Sequence, residues 1–160
     1  MAHDGGEMPE SALVADLLPL CVQAVASVSM LQAQGVAALR VRVAEGGKVS
    51  AAALDRHQFA AHALSWLATY AEALKQLHGW AERLTAQGTF GETEALILQI
   101  GFGEYLAQIK GGIPMSQGET ARLADLGLDW PADAACDALI AGGNTAAARD
   151  RLVAMMQANC

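Results

Sequence analysis

The stretch Glu92–Lys110, ETEALILQIGFGEYLAQIK, carries apolar side chains in almost every direction around a helix. The large apolar side chains are Leu96, Ile97, Leu98, Ile100, Phe102, Tyr105, Leu106 and Ile109. A helix that is apolar on all sides has no face suited to water, so it belongs in the interior of a domain. We therefore expect this helix to be the most buried element and the centre of the fold.

The glycines within and after this stretch predict a close contact with another helix and a turn of the chain. Gly101 and Gly103 have no side chains, which would let another helix approach closely, and Gly111-Gly112 followed by Pro114 would end the helix. The segment does not match the dinucleotide fingerprint G-x-G-x-x-G, because Leu106 stands at the third glycine position and no strand precedes it.

A long helix is predicted before this stretch, from Ala51 to about Ala86, with Ser50 as its cap. Apolar residues recur at spacings of three and four along it, and a polar line that includes His62 and Arg83 lies opposite. Trp66 and Trp80 lie on its flank. They are predicted to be core residues or, alternatively, residues of a subunit or domain interface.

Start and stop signals divide the rest of the chain into further helices. A helix from Glu10 would kink or break at Pro19. A second segment that ends at Gly46-Gly47 favours a helix, although its part ALRVRVAE alternates as a strand would. Later helices would start at these signals: the T-x-x-E spacing of Thr89 and Glu92, the S-x-x-E spacing of Ser116 and Glu119, Trp130-Pro131, and Asn144. No hairpin signal was found.

These signals predict an all-α fold, a helical bundle with one long central helix and antiparallel helix pairs. Residues 1–9 are predicted to be a disordered tail and residues 10–160 a single helical domain. The chain ends at MMQANC, directly after a helix, which is typical of a domain cut from a longer polypeptide. The packing or interface candidates are Trp66, Trp80, Gly101, Gly103, Tyr105, Gly111, Gly112 and Pro114.

Composition narrows the range of functions. The chain has 160 residues, 53% of them hydrophobic, and a net charge of −7 without a basic stripe. Nucleic acids and anionic membranes are therefore not expected as partners. No apolar run long enough to span a membrane is free of charges and breakers, and no signal peptide is evident. Three widely spaced cysteines, an odd number, indicate reduced thiols in a cytoplasmic protein.

Few residues are candidates for chemistry. His57 and His62 are five apart, which does not place them on one helical face for a metal, and no metal site is expected. Glu104 is the exception, because a carboxylate beside Tyr105 in an apolar helix can have a raised pKa. A catalytic base there is one hypothesis, and a carboxylate facing solvent or Lys110 is the one we favour.

Two segments resemble a known family, DRHQFAAHALSWLATYAEALKQLHGWAERL and FGETEALILQIGFGEYLAQIKGGIPMSQGE. Together they cover about residues 54–128, and they are similar to the N-terminal extension of the methylsuccinyl-CoA dehydrogenases, bacterial flavoproteins within the acyl-CoA dehydrogenase family. The resemblance implies an FAD-dependent cytoplasmic enzyme that oxidises (2S)-methylsuccinyl-CoA to mesaconyl-CoA. Since nothing here matches the flavin-binding or catalytic motifs, it assigns no catalytic, cofactor-binding or metal residue to this chain.

Three hypotheses follow. The first is a non-catalytic helical extension of such a dehydrogenase, which packs on the catalytic body of the same polypeptide in a homo-oligomer and binds no FAD itself. The second is a free-standing helical adaptor that uses the same apolar faces. The third is a small enzyme based on Glu104 and Tyr105.

Overall fold

Helices account for most of the chain, as the sequence predicts. The computed structural model describes residues 12–158, and within them there are seven helices and two small antiparallel strand pairs. The helices are α1 Leu17–Val43, α2 Ala51–Arg56, α3 Gln58–Ala86, α4 Glu92–Gly111, α5 Leu123–Leu126, α6 Ala134–Gly142 and α7 Ala146–Ala158. The strands are β1 Ala44–Glu45, β2 Lys48–Val49, β3 Ile113–Pro114 and β4 Thr120–Ala121. The predicted tail at residues 1–9 lies outside the described residues.

Helix α4 lies at the centre and packs against α3, α6 and α7. Leu96, Phe102 and Leu106 are completely buried, which confirms the interior position, although Ile97 remains 40% exposed. The contacts run in opposite directions along neighbouring helices: Tyr70 meets Gln108 while Leu77 meets Gly101. Helices α3 and α4 are therefore an antiparallel pair, as the fold class requires.

Pro19 does not break the first helix, so that prediction is wrong. Helix α1 begins at Leu17, which places Pro19 in its first turn. The N–H groups of a first turn have no intrahelical acceptor, so the missing proline donor costs no hydrogen bond there. The helix then continues unbroken to Val43, and its buried side packs against α3 and α6.

The predicted central helix from residue 51 to 86 is two helices, a correction to its length. Ser50 caps α2 as expected, since its Oγ accepts a hydrogen bond from the N–H of Ala53. His57 then leaves helical geometry at φ −115° and ψ 24°, and α3 starts at Gln58. The break lets the short helix α2 pack against α1 through the buried Ala53. Periodicity alone does not show such a change of direction.

Helix α4 begins later than the spacing of Thr89 and Glu92 indicates. Glu92 is the first helical residue, and Glu94 caps the helix by accepting the N–H of Gly91 at 3.0 Å. The Thr89 hydroxyl instead donates to the carbonyl oxygen of Leu84 at 3.3 Å, so it finishes the preceding helix. Glu92 and Glu94 both lie in the first turn of α4. The T-x-x-E spacing predicted Glu92 as the capping glutamate, whereas Glu94 has that role.

Ser116 and Glu119 do not open a helix. They form the turn between β3 and β4, in which the N–H of Met115 donates to the carbonyl of Glu119 at 2.9 Å. A second hairpin joins β1 and β2 through Gly46 and Gly47, both with positive φ. Neither hairpin was predicted from the sequence, because strands of two residues are too short to show an alternation of apolar and polar residues.

The last two helices each start near the predicted place. Trp130-Pro131 does not start α6; Asp133 caps it by accepting the N–H groups of Ala135 and Cys136. Thr145, rather than its neighbour Asn144, caps α7 by accepting the N–H of Ala148 at 3.1 Å. In both cases the side chain that caps is set by where the chain leaves the core.

Among the described residues, α1 is long and apolar enough to cross a membrane by length and composition alone, with a mean hydropathy of 1.3. This contradicts the expectation that no segment would qualify. Only 33% of that window is buried inside the protein. A core helix passes the same test, and α1 contacts helices α2 to α6.

Candidate functional site

Helix α4 and the turn that joins α6 to α7 approach each other closely. A Cβ built on Gly103 would lie 2.8 Å from the backbone nitrogen of Asn144 and 2.9 Å from the carbonyl oxygen of Leu139. Gly143 faces it, and a Cβ there would lie 2.4 Å from the carbonyl oxygen of Gln99. Real Cβ contacts are not this short, so both positions exclude any side chain.

The side chain of Gln99 joins two further segments to this contact by hydrogen bonds. Gln99 was not among the residues predicted from the sequence. It is completely buried. Its Oε1 accepts the N–H of Val14 at 3.0 Å, and its Nε2 donates to the carbonyls of Ala12 at 2.7 Å and Gly143 at 3.3 Å. A single glutamine in an otherwise apolar turn was the available signal, because buried amides require partners.

The segment after α4 turns back on itself at Gly112. This residue has φ 125°, a region that favours glycine, and a Cβ on it would lie 2.4 Å from Cγ2 of Thr120. Gly111 has open space around its Cα, and Pro114 lies in strand β3. Of the two glycines, Gly112 alone is required by geometry.

Glu104 is the centre of a half-buried polar network that links three elements. Its Oε1 accepts from Nε2 of Gln108 at 2.5 Å and its Oε2 from Nδ2 of Asn144 at 2.7 Å. The Tyr70 hydroxyl donates to Oε1 of Gln108, and Nη1 of Arg149 donates to Oδ1 of Asn144 at 2.7 Å. Both carboxylate oxygens are thus held by amide donors, which is a structural arrangement.

Tyr70 and Tyr105 lie side by side at one end of this network, with ring centroids 4.8 Å apart. Burial raises the pKa of the Tyr70 hydroxyl, and Tyr105 and Glu104 raise it further. A tyrosine with a raised pKa stays protonated and acts as a hydrogen-bond donor. The pair is therefore suited to holding α3 against α4.

Lys110 does not face Glu104, so the expected pairing is wrong. Its Nζ lies 2.8 Å from Oδ1 of Asp137 and 5.7 Å from the ring centroid of Trp130. This pairing lowers the pKa of Asp137. On a helix, residues six apart lie on different faces, and here α6 provides the nearer carboxylate.

The two tryptophans of α3 lie half-buried at the edge of the core. Trp66 donates from Nε1 to Nε2 of His62 at 3.1 Å, and both line a shallow surface groove of about 230 Å³. Phe59, one turn away, is 50% exposed. Both tryptophans pack against the core, and Trp66 also borders an exposed aromatic surface.

A groove of about 500 Å³ lies between the start of α1 and the end of α3. Its lining is mostly apolar, with Leu18, Pro19 and Val22 on one side and His78 and Glu82 on the other. A flavin pyrophosphate requires cations or free backbone N–H groups, and the Glu82 carboxylate would repel it. The residues of this groove do not fit FAD.

The described part of the chain has no arrangement of side chains suited to metal binding or to thiol chemistry. No three His, Cys, Asp or Glu side chains there converge as metal ligands. Cys21 and Cys136 are buried, and burial raises the pKa of each thiol to about 12. Such thiols are inert at neutral pH.

Comparison with known proteins identifies a relative. No protein-family model matches the chain. It is 56% identical over 154 residues, 95% of its length, to (2S)-methylsuccinyl-CoA dehydrogenase from Cereibacter sphaeroides. The chain is therefore similar to a portion of that dehydrogenase.

The resemblance seen in the sequence is confirmed, and the match extends well beyond the half of the chain on which it was recognised. The chain spans 28% of the length of the relative, in its N-terminal part. Nearly three quarters of that dehydrogenase thus has no counterpart in these 160 residues.

Proposed function

We propose that this chain is a non-catalytic helical domain of an FAD-dependent acyl-CoA dehydrogenase. The observation that carries the proposal is the extent of the match, 95% of this chain but 28% of the dehydrogenase. The flavin, the glutamate base and the substrate pocket would then belong to the remaining part. The domain would support packing and assembly, or shape access to the active site.

The reaction of the parent protein is proposed from the same relative. It would oxidise (2S)-methylsuccinyl-CoA to mesaconyl-CoA in the cytoplasm, as a homo-oligomer. The hydrogen-bond network of Glu104, Gln108 and Asn144 supports a structural role for this domain, since both Glu104 oxygens accept from amides. We propose neither nucleic acid nor membrane as its partner.

A chimera tests the proposal. This chain would replace the matched portion of the Cereibacter sphaeroides enzyme, and turnover of (2S)-methylsuccinyl-CoA would be measured with and without Glu104→Gln. Glutamine offers an N–H₂ group where two amide donors point, so the variant should lose about 1–3 kcal/mol of unfolding free energy. Its kcat should nevertheless stay within about twofold of the unsubstituted chimera, since the flavin and the base would belong to the remaining part of the enzyme.

A stably folded Glu104→Gln chimera without turnover would show that the site is chemical, which is the small-enzyme hypothesis. Titration of the isolated chain with FAD gives an independent readout. We expect no binding at micromolar flavin, and a stoichiometric yellow complex would contradict the proposal. The coding sequence after Cys160 separates the adaptor hypothesis from the proposed function. A dehydrogenase body there supports the proposed function, and a stop codon supports the adaptor.

A further inference from the structure

The outward side of α1 is an exposed apolar surface. No charged residue occurs between Leu17 and Leu39. The apolar residues on this side recur at helical spacing, and we call them the α1 outer face: Val22, Ala26, Met30, Ala33, Val36 and Ala37, all exposed. The uncharged amides of Gln23 and Gln34, also exposed, lie along one edge of this face. Met30 is 61% exposed and Val22 51%. An uncharged strip of this kind can contact another protein surface without burying a charge.

The opposite side of α1 fixes the helix in the domain. Cys21, Ala24, Val28 and Leu31 are almost completely buried there and spread along the helix. The Ser27 hydroxyl also donates to Oδ2 of Asp133 at the start of α6. Inserting α1 into a bilayer would remove all of these contacts from the core, so a protein surface is the favoured occupant.

The size of the α1 outer face distinguishes a tethered partner from a second copy. Residues 22–37 span about 24 Å at ~1.5 Å per residue, and a strip about 10 Å wide gives roughly 240 Å². A stable dimer buries about 800 Å² per partner. A body on the same polypeptide loses no translational freedom on docking, so a small apolar contact is sufficient.

We infer that the α1 outer face docks on the catalytic body of the dehydrogenase, an inference that rests on the proposed function. The docking surface on the body is apolar and uncharged, and it bears large aliphatic or aromatic side chains. Such side chains fill the space above Ala26, Ala33 and Ala37, where α1 presents only methyl groups.

The experiment measures the accessibility of position 30 with a maleimide. Met30→Cys is made with Cys160→Ser, in the isolated chain and in the chimera with the Cereibacter sphaeroides body. Cys21 and Cys136 are completely buried and remain in place. We expect the labelling rate to fall at least tenfold in the chimera. The matched control is Val153→Cys on α7, 52% exposed in the isolated chain, which should keep at least half its rate.

The outcomes separate this inference from the proposed function. An active chimera that labels at full rate at Met30→Cys, or that protects both sites equally, overturns the inference and leaves the proposed function standing. An inactive chimera overturns both. Two results on the isolated chain also overturn the inference: a dimer by sedimentation that Met30→Glu dissociates, and co-flotation with phosphatidylcholine–phosphatidylglycerol vesicles.

Discussion

At the scale of single residues, close backbone contacts explain why glycine occupies positions 103 and 143 better than conformational flexibility does. Gly103 and Gly143 let α4 approach the α6–α7 turn until the backbones touch, and neither requires a positive φ. Gly111, eight residues further along the same helix, has nothing near the position of a Cβ. The same residue type is thus indispensable at one position and replaceable at another.

This difference gives a matched pair of substitutions. Gly103→Ala places a methyl group 2.8 Å from a backbone nitrogen that cannot move aside, and overpacking of this kind costs about 1–3 kcal/mol. Gly111→Ala adds a better helix former in open space, worth up to about 1 kcal/mol of added stability. Urea denaturation of both variants measures the difference, and equal stabilities would contradict the close contact.

At the scale of elements, the N-terminus of helix α6 is capped by one carboxylate, that of Asp133. Oδ1 of Asp133 accepts the N–H groups of Ala135 at 2.8 Å and Cys136 at 3.1 Å, and Oδ2 accepts the hydroxyl of Ser27 on α1. The Ser27 hydrogen bond is the largest cause that lowers the pKa of Asp133, and the two backbone bonds lower it further. The cap therefore also joins two helices.

This lowered pKa predicts acid sensitivity. A carboxyl whose pKa is lower in the folded than in the unfolded state stabilises the fold fully above its ordinary pKa, about 3.9. That contribution is lost as the pH falls through the lower, native pKa. Asp133→Asn keeps a capping oxygen but no charge, so it should cost about 1 kcal/mol at pH 7.

The cost of Asp133→Asn should shrink steadily below about pH 4, where the native aspartate also begins to lose its charge. Denaturant midpoints of both proteins between pH 2 and 7 check this. A cost that stayed constant over that range would mean that charge has no part in the cap. Asp129→Asn on the preceding loop is the control, with no expected change.

At the scale of the whole molecule, stability is distributed unevenly around α4. That helix buries seven residues, from Leu96 to Ile109, whereas α7 buries Ala148 alone. The far part of α7 is held to α4 by the ion pair of Arg151 and Glu92, with Nε to Oε1 at 2.6 Å. Exposed ion pairs contribute little, so α7 is the least secured of the long helices.

Hydrogen exchange on the isolated chain should reveal this order. Amides of α7 should exchange through local opening at rates at least tenfold above those of α4, which should open only with global unfolding. Arg151→Gln should accelerate exchange in α7 without changing α4. Uniform protection of both helices would mean that α7 belongs to the cooperative core.

Much of the architecture follows from sequence patterns that act locally. The apolar periphery of Glu92–Lys110 determined an interior helix, the glycine pair at 111–112 determined a helix end, and Ser50 determined a cap. These predictions succeed because periodicity and chain termination depend on neighbours within a few residues. The same local patterns predicted the helical class, whereas the likeness to the dehydrogenase came from the resemblance of two sequence segments.

Other features were set by contacts distant in sequence, and only the tertiary structure decided them. Glu104 pairs with Asn144 rather than Lys110, and Gln99 joins Val14 to Gly143. The break at His57 likewise has no local signal, and it accompanies the packing of α2 on α1. Which carboxylate meets which amide depends on how antiparallel helices align, and residues forty or more apart along the chain carry no record of that alignment in their spacing.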